Sequence, residues 1–174
     1  NMDWLWDEKD GGGPLLESSV HAFDMLCYLM GDVARVSAEG GNLFNPGREP
    51  QLDAAAVSLK FTSGAVASVG CGQCWEWGFA HESSHFAHEK AMVELSGTFD
   101  NPEYLRYALR SNPDKTHKLN RPEHDLYAYE LEHFVHCLEN EKKPAIDGEQ
   151  GRRSVEVCLA LKEAIRSGDP VRLG

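Results

Sequence analysis

Four ionisable or hydroxyl-bearing side chains, Glu17, His21, Asp24 and Tyr28, recur at i, i+4, i+7 and i+11. At about 100° per residue on a helix they fall on one stripe roughly 60° wide. A carboxylate one turn ahead of a histidine can accept an imidazole N–H. That fixes the tautomer and favours the protonated form. Such a pair suits general acid–base catalysis. The plainer reading of the same stripe is the wet edge of an amphipathic helix carrying an i,i+4 Glu–His pair.

Two further groups compete for attention. Cys71-Gly-Gln-Cys74, with His81, His85 and His88 downstream, has the residue types of a zinc site. Its spacing is poor, and residues three apart on a strand point to opposite faces. No metal site is therefore assigned. Trp75, Trp77, Phe79, His81, His85 and Phe86 make an aromatic, imidazole-rich stretch. It either edges a ligand pocket or forms a buried cluster or subunit contact. No nucleophile elbow or signature cysteine context is present.

The elements that must carry these residues follow from pattern. Pro14 fits a first helical position and Gly31 the residue past a helix end, so the stripe rides a helix over 14–30. Leu16, Val20, Phe23 and Cys27 form one apolar line on it. Leu15, Ala22, Leu26 and Leu29 form a second beside it, so the helix is apolar over much of its circumference. Strand-like segments follow at 33–44, 53–61, 65–74, 91–97 and 103–110, with a hairpin turn at Thr62-Ser63-Gly64. Residues 111–124 read as a polar loop, and helices are expected at 125–141 and 151–166. A short terminal strand is expected at Val171-Arg172-Leu173. Helix, antiparallel strands, then helices give an α+β fold: an open, mainly antiparallel sheet of about five or six strands with helices on one face. Residues 1–174 form a single such domain. An uncovered sheet face should expose an apolar area that a second copy buries.

Composition narrows the class. The chain has 174 residues, of which 41% are hydrophobic and 26% charged, and 17 Lys and Arg against 28 Asp and Glu leave a net charge of −11. That balance excludes a nucleic-acid partner, whose affinity comes mostly from basic residues. No run of residues is long and apolar enough for a membrane span. Five cysteines, an odd number in apolar patterns, read as reduced thiols in a cytoplasmic setting. The opening NMDWLWDEKD has no signal-peptide pattern. Asn1 ahead of Met2 points to a segment of a longer polypeptide.

GGGPLLESSVHAFDMLCYLMGD resembles the start of the C-terminal domain of the Gfo/Idh/MocA oxidoreductases, the glucose–fructose oxidoreductase and inositol dehydrogenase family. Gly11, Gly12, Gly13, Leu15, His21, Asp24 and Gly31 match the pattern. Glu17 stands where the family has Asp, one methylene shorter, and Ser19 where it has Gly. The stretch from Tyr129 to Leu173 is similar to the family's closing segment, so the resemblance covers nearly all of 4–173. It implies a two-domain protein whose N-terminal Rossmann domain binds NAD or NADP, and a C-terminal domain that shapes the substrate site and an oligomer interface. It also implies hydride transfer at a sugar, inositol or related polyol carbon. By position His21 takes the acid–base role and Glu17 that of its acidic partner, with a lysine supplied by the N-terminal domain. Asp24, Trp75 and Trp77 are candidates to contact substrate.

The chain contains no Gly-x-Gly-x-x-Gly; Gly70-Cys-Gly72 is followed by Trp75 where the third glycine belongs. The dinucleotide-binding domain is absent from these residues, so the chain alone is expected to bind no cofactor and to be inactive. The alternative is a cofactor-free binding or dimerisation module with the same fold.

Overall fold

The computed structural model describes residues 3–7, 9–72, 82–97, 102–120 and 125–174. After a 3-10 turn at Asp3–Trp6 come helix α1 (Pro14–Met30) and strands β1 (Val33–Gly41), β2 (Ala54–Phe61), β3 (Val66–Gly72), β4 (Ser83–Ala87), β5 (Ala91–Gly97), β6 (Pro102–Leu109) and β7 (Asn112–Asn120). Helices α2 (Leu126–Glu139) and α3 (Gly148–Ser167) and strand β8 (Val171–Arg172) complete it. The α+β class with antiparallel sheets holds. The strands divide into two four-stranded sheets, ordered β3-β2-β1-β8 and β4-β5-β6-β7, rather than one of five or six. The described strand pairs are antiparallel throughout. Two compact units result.

The first unit holds the core. On α1 the buried line is Leu15, Ser19, Phe23 and Leu26; on α3 it is Ser154, Val157, Cys158, Leu161 and Ala164. Both spacings place one face against the sheet. Period-2 alternation sends Ala55, Val57, Leu59 and Phe61 of β2 inward to meet them, with Val36 of β1. Burying each large side chain there contributes roughly 1.5–3 kcal/mol. Asp147 starts α3 with a capping box to Gln150, and left-handed Gly168 ends it.

The outer face of β1–β3 contradicts the expectation of an apolar surface. Its residues are mainly Ser, Ala, Gly and charged groups, and only Val66 is large and apolar.

In the second unit, Phe86, Val93, Leu95, Leu105 and Tyr107 share one half-buried sheet face, where Tyr107 stacks on His117 at 4.8 Å. On the opposite face Glu94 accepts from Tyr104 Oη at 3.0 Å and Arg106 Nε at 2.7 Å. The expected loop at 111–124 is a strand over Asn112–Asn120. It lies at a sheet edge, so one side of its backbone pairs with β6 and the other faces water, which admits Pro113 and polar residues. Helix α2 buries only Cys137, and its apolar residues Leu131, Phe134, Val135 and Leu138 are exposed. His133 has a structural partner: its Nε2 accepts the Ala145 N–H at 3.0 Å, holding the connector after the helix.

No helix among the described residues is long and apolar enough to cross a membrane.

Candidate functional site

The glycines before α1 each answer a different constraint. A Cβ on Gly11 would lie 2.6 Å from the Trp4 carbonyl oxygen and 2.8 Å from Leu5 Cα, so only glycine lets the opening turn close. Gly13, the residue capping α1, has φ +92°, and a Cβ there would collide with Oε1 of the buried Gln51. Gly13→Ala therefore destabilises the fold by about 2 kcal/mol, read as a lower urea midpoint. A variant within 0.5 kcal/mol of wild type, about the scatter of a harmless surface change, would show that the turn relaxes freely.

Gln51 is delivered by the loop 42–53, and Asp53 shapes that loop. Its carboxylate, fully buried, accepts N–H bonds from Leu43 at 2.7 Å, Phe44 at 3.0 Å and Asn45 at 2.7 Å, and from Asn45 Nδ2 at 2.9 Å. Burial pushes this carboxyl up, but the bonds together outweigh it and hold the group below the usual carboxylate range. Arg48 in the same loop lies 5.6 Å over the Trp6 ring and bonds Asp3 at 3.1 Å, tying the loop to the opening turn.

Helix α1 is then fastened to α3 along its length. Lys162 Nζ donates to the Gly12 carbonyl at 3.0 Å. Ser154 Oγ, buried, donates to Asp24 Oδ1 at 2.6 Å. Arg153 reaches Asp32, just past the helix, at 2.8 Å. These ties set the rotation of α1 about its axis. Phe23 faces the core, while Glu17 and His21 stand exposed one turn apart, with Tyr28 78% exposed on the same side.

The polar stripe is thus real, but its members differ. Glu17 Oε2 accepts from Ser18 Oγ at 2.9 Å, and no hydrogen bond joins it to His21 among the described residues. Asp24 is engaged between helices. Ser19 is buried on the core-facing side of α1, and on β3 the Cys71 thiol donates to the Ala55 carbonyl at 3.8 Å. Trp75, Trp77, Cys74 and His81 lie outside the described residues. Gln51, Asp53, Ser154 and Lys162 were not identified as site-building residues from sequence. Only Asp53, an acid inside an apolar strand start, stands out there as a residue that must find donors.

Cys27, Cys71 and Cys158 lack the pKa-lowering environment of a thiolate nucleophile. Burial pushes the Cys158 thiol up to about 12 and raises Cys27 and Cys71 as well. Gly70-Cys71-Gly72 ends an antiparallel strand, and the described residues contain no parallel βαβ unit to seat a pyrophosphate. What the exposed face of α1 offers is a carboxylate and an imidazole on a rigidly held helix, open to a ligand from outside.

Comparison with known proteins agrees with this layout. The family described as "Oxidoreductase family, C-terminal alpha/beta domain" matches residues 1–173. The chain is 28% identical over 169 residues to scyllo-inositol 2-dehydrogenase (NAD(+)) of Bacillus subtilis, covering 95% of this chain and 49% of that protein. It is 27% identical over 176 residues to myo-inositol 2-dehydrogenase of Thermotoga maritima, covering 93% and 49%. The fold superposes with a TM-score of 0.80 on an aldose-aldose oxidoreductase from Caulobacter crescentus solved with glycerol, at 21% identity over 98% of this chain and 50% of that one. The chain spans about half the length of the curated relatives it matches. It belongs to the Gfo/Idh/MocA oxidoreductases, as their C-terminal alpha/beta domain.

Proposed function

We propose that this chain is the substrate-binding half of an NAD(P)-dependent oxidoreductase that acts on a sugar, inositol or related polyol by hydride transfer, and that it is inactive alone. The observation that carries the reading is the pair Glu17 and His21, exposed one turn apart on a helix tied to α3 through Asp24–Ser154 and through the Gly12 carbonyl–Lys162 bond at its start. His21 takes the proton of the carbinol hydroxyl on oxidation and returns it on reduction. Glu17, free to swing from Ser18 to the imidazole when substrate arrives, orients it. Asp24 keeps one carboxylate oxygen for a substrate hydroxyl while Ser154 holds the other. Trp75 and Trp77 supply an apolar face for the ring. The nicotinamide is held by residues outside this chain. The setting is cytoplasmic, and the assembly is a homo-oligomer.

The test is a dehydrogenase assay with NAD+ and NADP+ against a panel of inositols, aldoses and polyols. The full-length protein is expected to reduce the nicotinamide with at least one of them, and the isolated 174-residue chain with none. Turnover by the isolated chain, or none by the full-length protein on any polyol, overturns the reading. The second outcome leaves a binding module.

A further inference from the structure

The polar face of the β4–β7 sheet is set in rows by the strand register. Ser83, Ser96, Tyr104 and Asn120 form one row, His85, Glu94, Arg106 and Lys118 the next, and Ala87, Met92, Ala108 and Thr116 the third. Glu94 is the one acid in these rows, against Arg106, Lys118 and the ionisable His85. The chain as a whole carries −11, so a face with more cations than anions runs against its balance.

Arg106 and Lys118 lie directly opposite each other on β6 and β7. Like charges so placed destabilise a sheet, yet both are held there. Glu94 accepts from Arg106 Nε at 2.7 Å and also meets Nη2. The Arg106 bond, helped by that from Tyr104, keeps the Glu94 carboxyl below the usual carboxylate range. Tyr104 supports both cations. Its hydroxyl donates to Glu94 Oε1 at 3.0 Å, and its ring centre lies 4.3 Å from Lys118 Nζ. Glu94 thus answers one of the two charges. Among the described residues, Arg106 Nη1 and the Lys118 ammonium have no hydrogen-bond or salt-bridge partner. The Arg106 side chain is 53% exposed and that of Glu94 17%. The acid is covered, and the guanidinium it fixes is open.

We infer that Arg106 and Lys118 form a binding site for the phosphate group of a small molecule. The count of oxygens and charges selects that group. A guanidinium held by a carboxylate along its Nε edge presents the remaining edge as a rigid donor fork. A phosphate monoester brings three acceptor oxygens and close to two negative charges, enough to meet the fork and the Lys118 ammonium together. A carboxylate, with two oxygens and one charge, is used up by either cation alone. Thr116 and Asn120 flank Lys118 on the same face and offer a hydroxyl and an amide to the rest of the molecule. The ligand is small because a long polyanion would be repelled by a chain of net charge −11. The site does not depend on the reading of Glu17 and His21.

Isothermal titration calorimetry of the full-length protein with inorganic phosphate, at constant ionic strength, tests this. Circular dichroism confirms that each variant folds. Wild type should bind phosphate saturably, with a Kd of the order of 1 mM, and acetate at least tenfold more weakly. Lys118→Gln leaves the bonds of Glu94 in place and should weaken phosphate binding about tenfold or more. Arg106→Lys keeps the charge but loses the fork, and should weaken it to a similar degree. Lys118→Arg keeps a cationic donor and should bind within about threefold of wild type. No saturable binding by wild type overturns the site. Phosphate binding unchanged by both Lys118→Gln and Arg106→Lys also overturns it and places the anion elsewhere in the protein. Acetate bound as tightly as phosphate overturns the choice of phosphate.

Discussion

His21→Ala in the full-length oxidoreductase lowers kcat by about 10²–10⁴, the usual contribution of a positioned acid–base group. The physical basis is that His21 is exposed on a helix fixed by other residues, so its removal leaves the fold intact. Phe23 and Leu26 still fill the core, and Ser154 still holds Asp24. KM should move little, because the imidazole's work falls in the proton transfer rather than in ground-state binding. Thermal midpoint should stay within a degree or two, as for other exposed substitutions. A kcat within about threefold of wild type would remove His21 from the chemistry, since general acid–base groups contribute far more than that. Glu17→Asp, which restores the shorter acid that the family resemblance associates with this position, is the companion variant. Retained or increased kcat fits an orienting carboxylate.

Asp53→Ala should cost about 2–4 kcal/mol, enough to lower the thermal midpoint by several degrees. The carboxylate is fully buried and receives backbone N–H bonds from Leu43, Phe44 and Asn45. Alanine leaves those donors facing apolar surroundings. The damage should spread to α1, because the same loop delivers Gln51 to Gly13. A pH series separates charge from shape. The folded carboxyl lies below its ordinary value, so its stabilisation is complete above the unfolded value of about 3.9 and fades as pH falls through the folded one. Asp53→Asn keeps the shape and removes that titration. Wild type should lose stability on acidification more steeply than the Asn variant. Parallel curves would mean that Asp53 does not carry the acid dependence.

Much of the first unit is legible without coordinates. Pro14 and Gly31 bracket a helix that runs from Pro14 to Met30, and the Thr62-Ser63-Gly64 hairpin joins β2 and β3. These are local signals, set by backbone chemistry. Strand β7 was hidden because an edge strand with one wet side needs no apolar alternation. Strand β4 falls inside the aromatic stretch of the sequence, and its five residues, Ser83–Ala87, are too few to show a period. The site divides along the same line. The spacing of Glu17, His21 and Tyr28 identifies an exposed stripe. It does not reveal that Asp24 turns to Ser154, 130 residues away, or that Lys162 holds Gly12. Long-range bonds between single polar residues leave no periodic trace. The role of each glycine in Gly11-Gly12-Gly13 is likewise set by what approaches it, namely Trp4, Leu5 and Gln51.

The two rims of the β4–β7 sheet bear on how this protein avoids precipitation. A bare strand edge is a template on which another chain can extend the ladder into fibrils. Here one rim is the five-residue β4. The other, β7, carries Pro113, which has no N–H to offer, and the cations Lys115 and Lys118. The half-buried face of Phe86, Leu95 and Leu105 between these rims is thereby kept from being extended sideways by another chain.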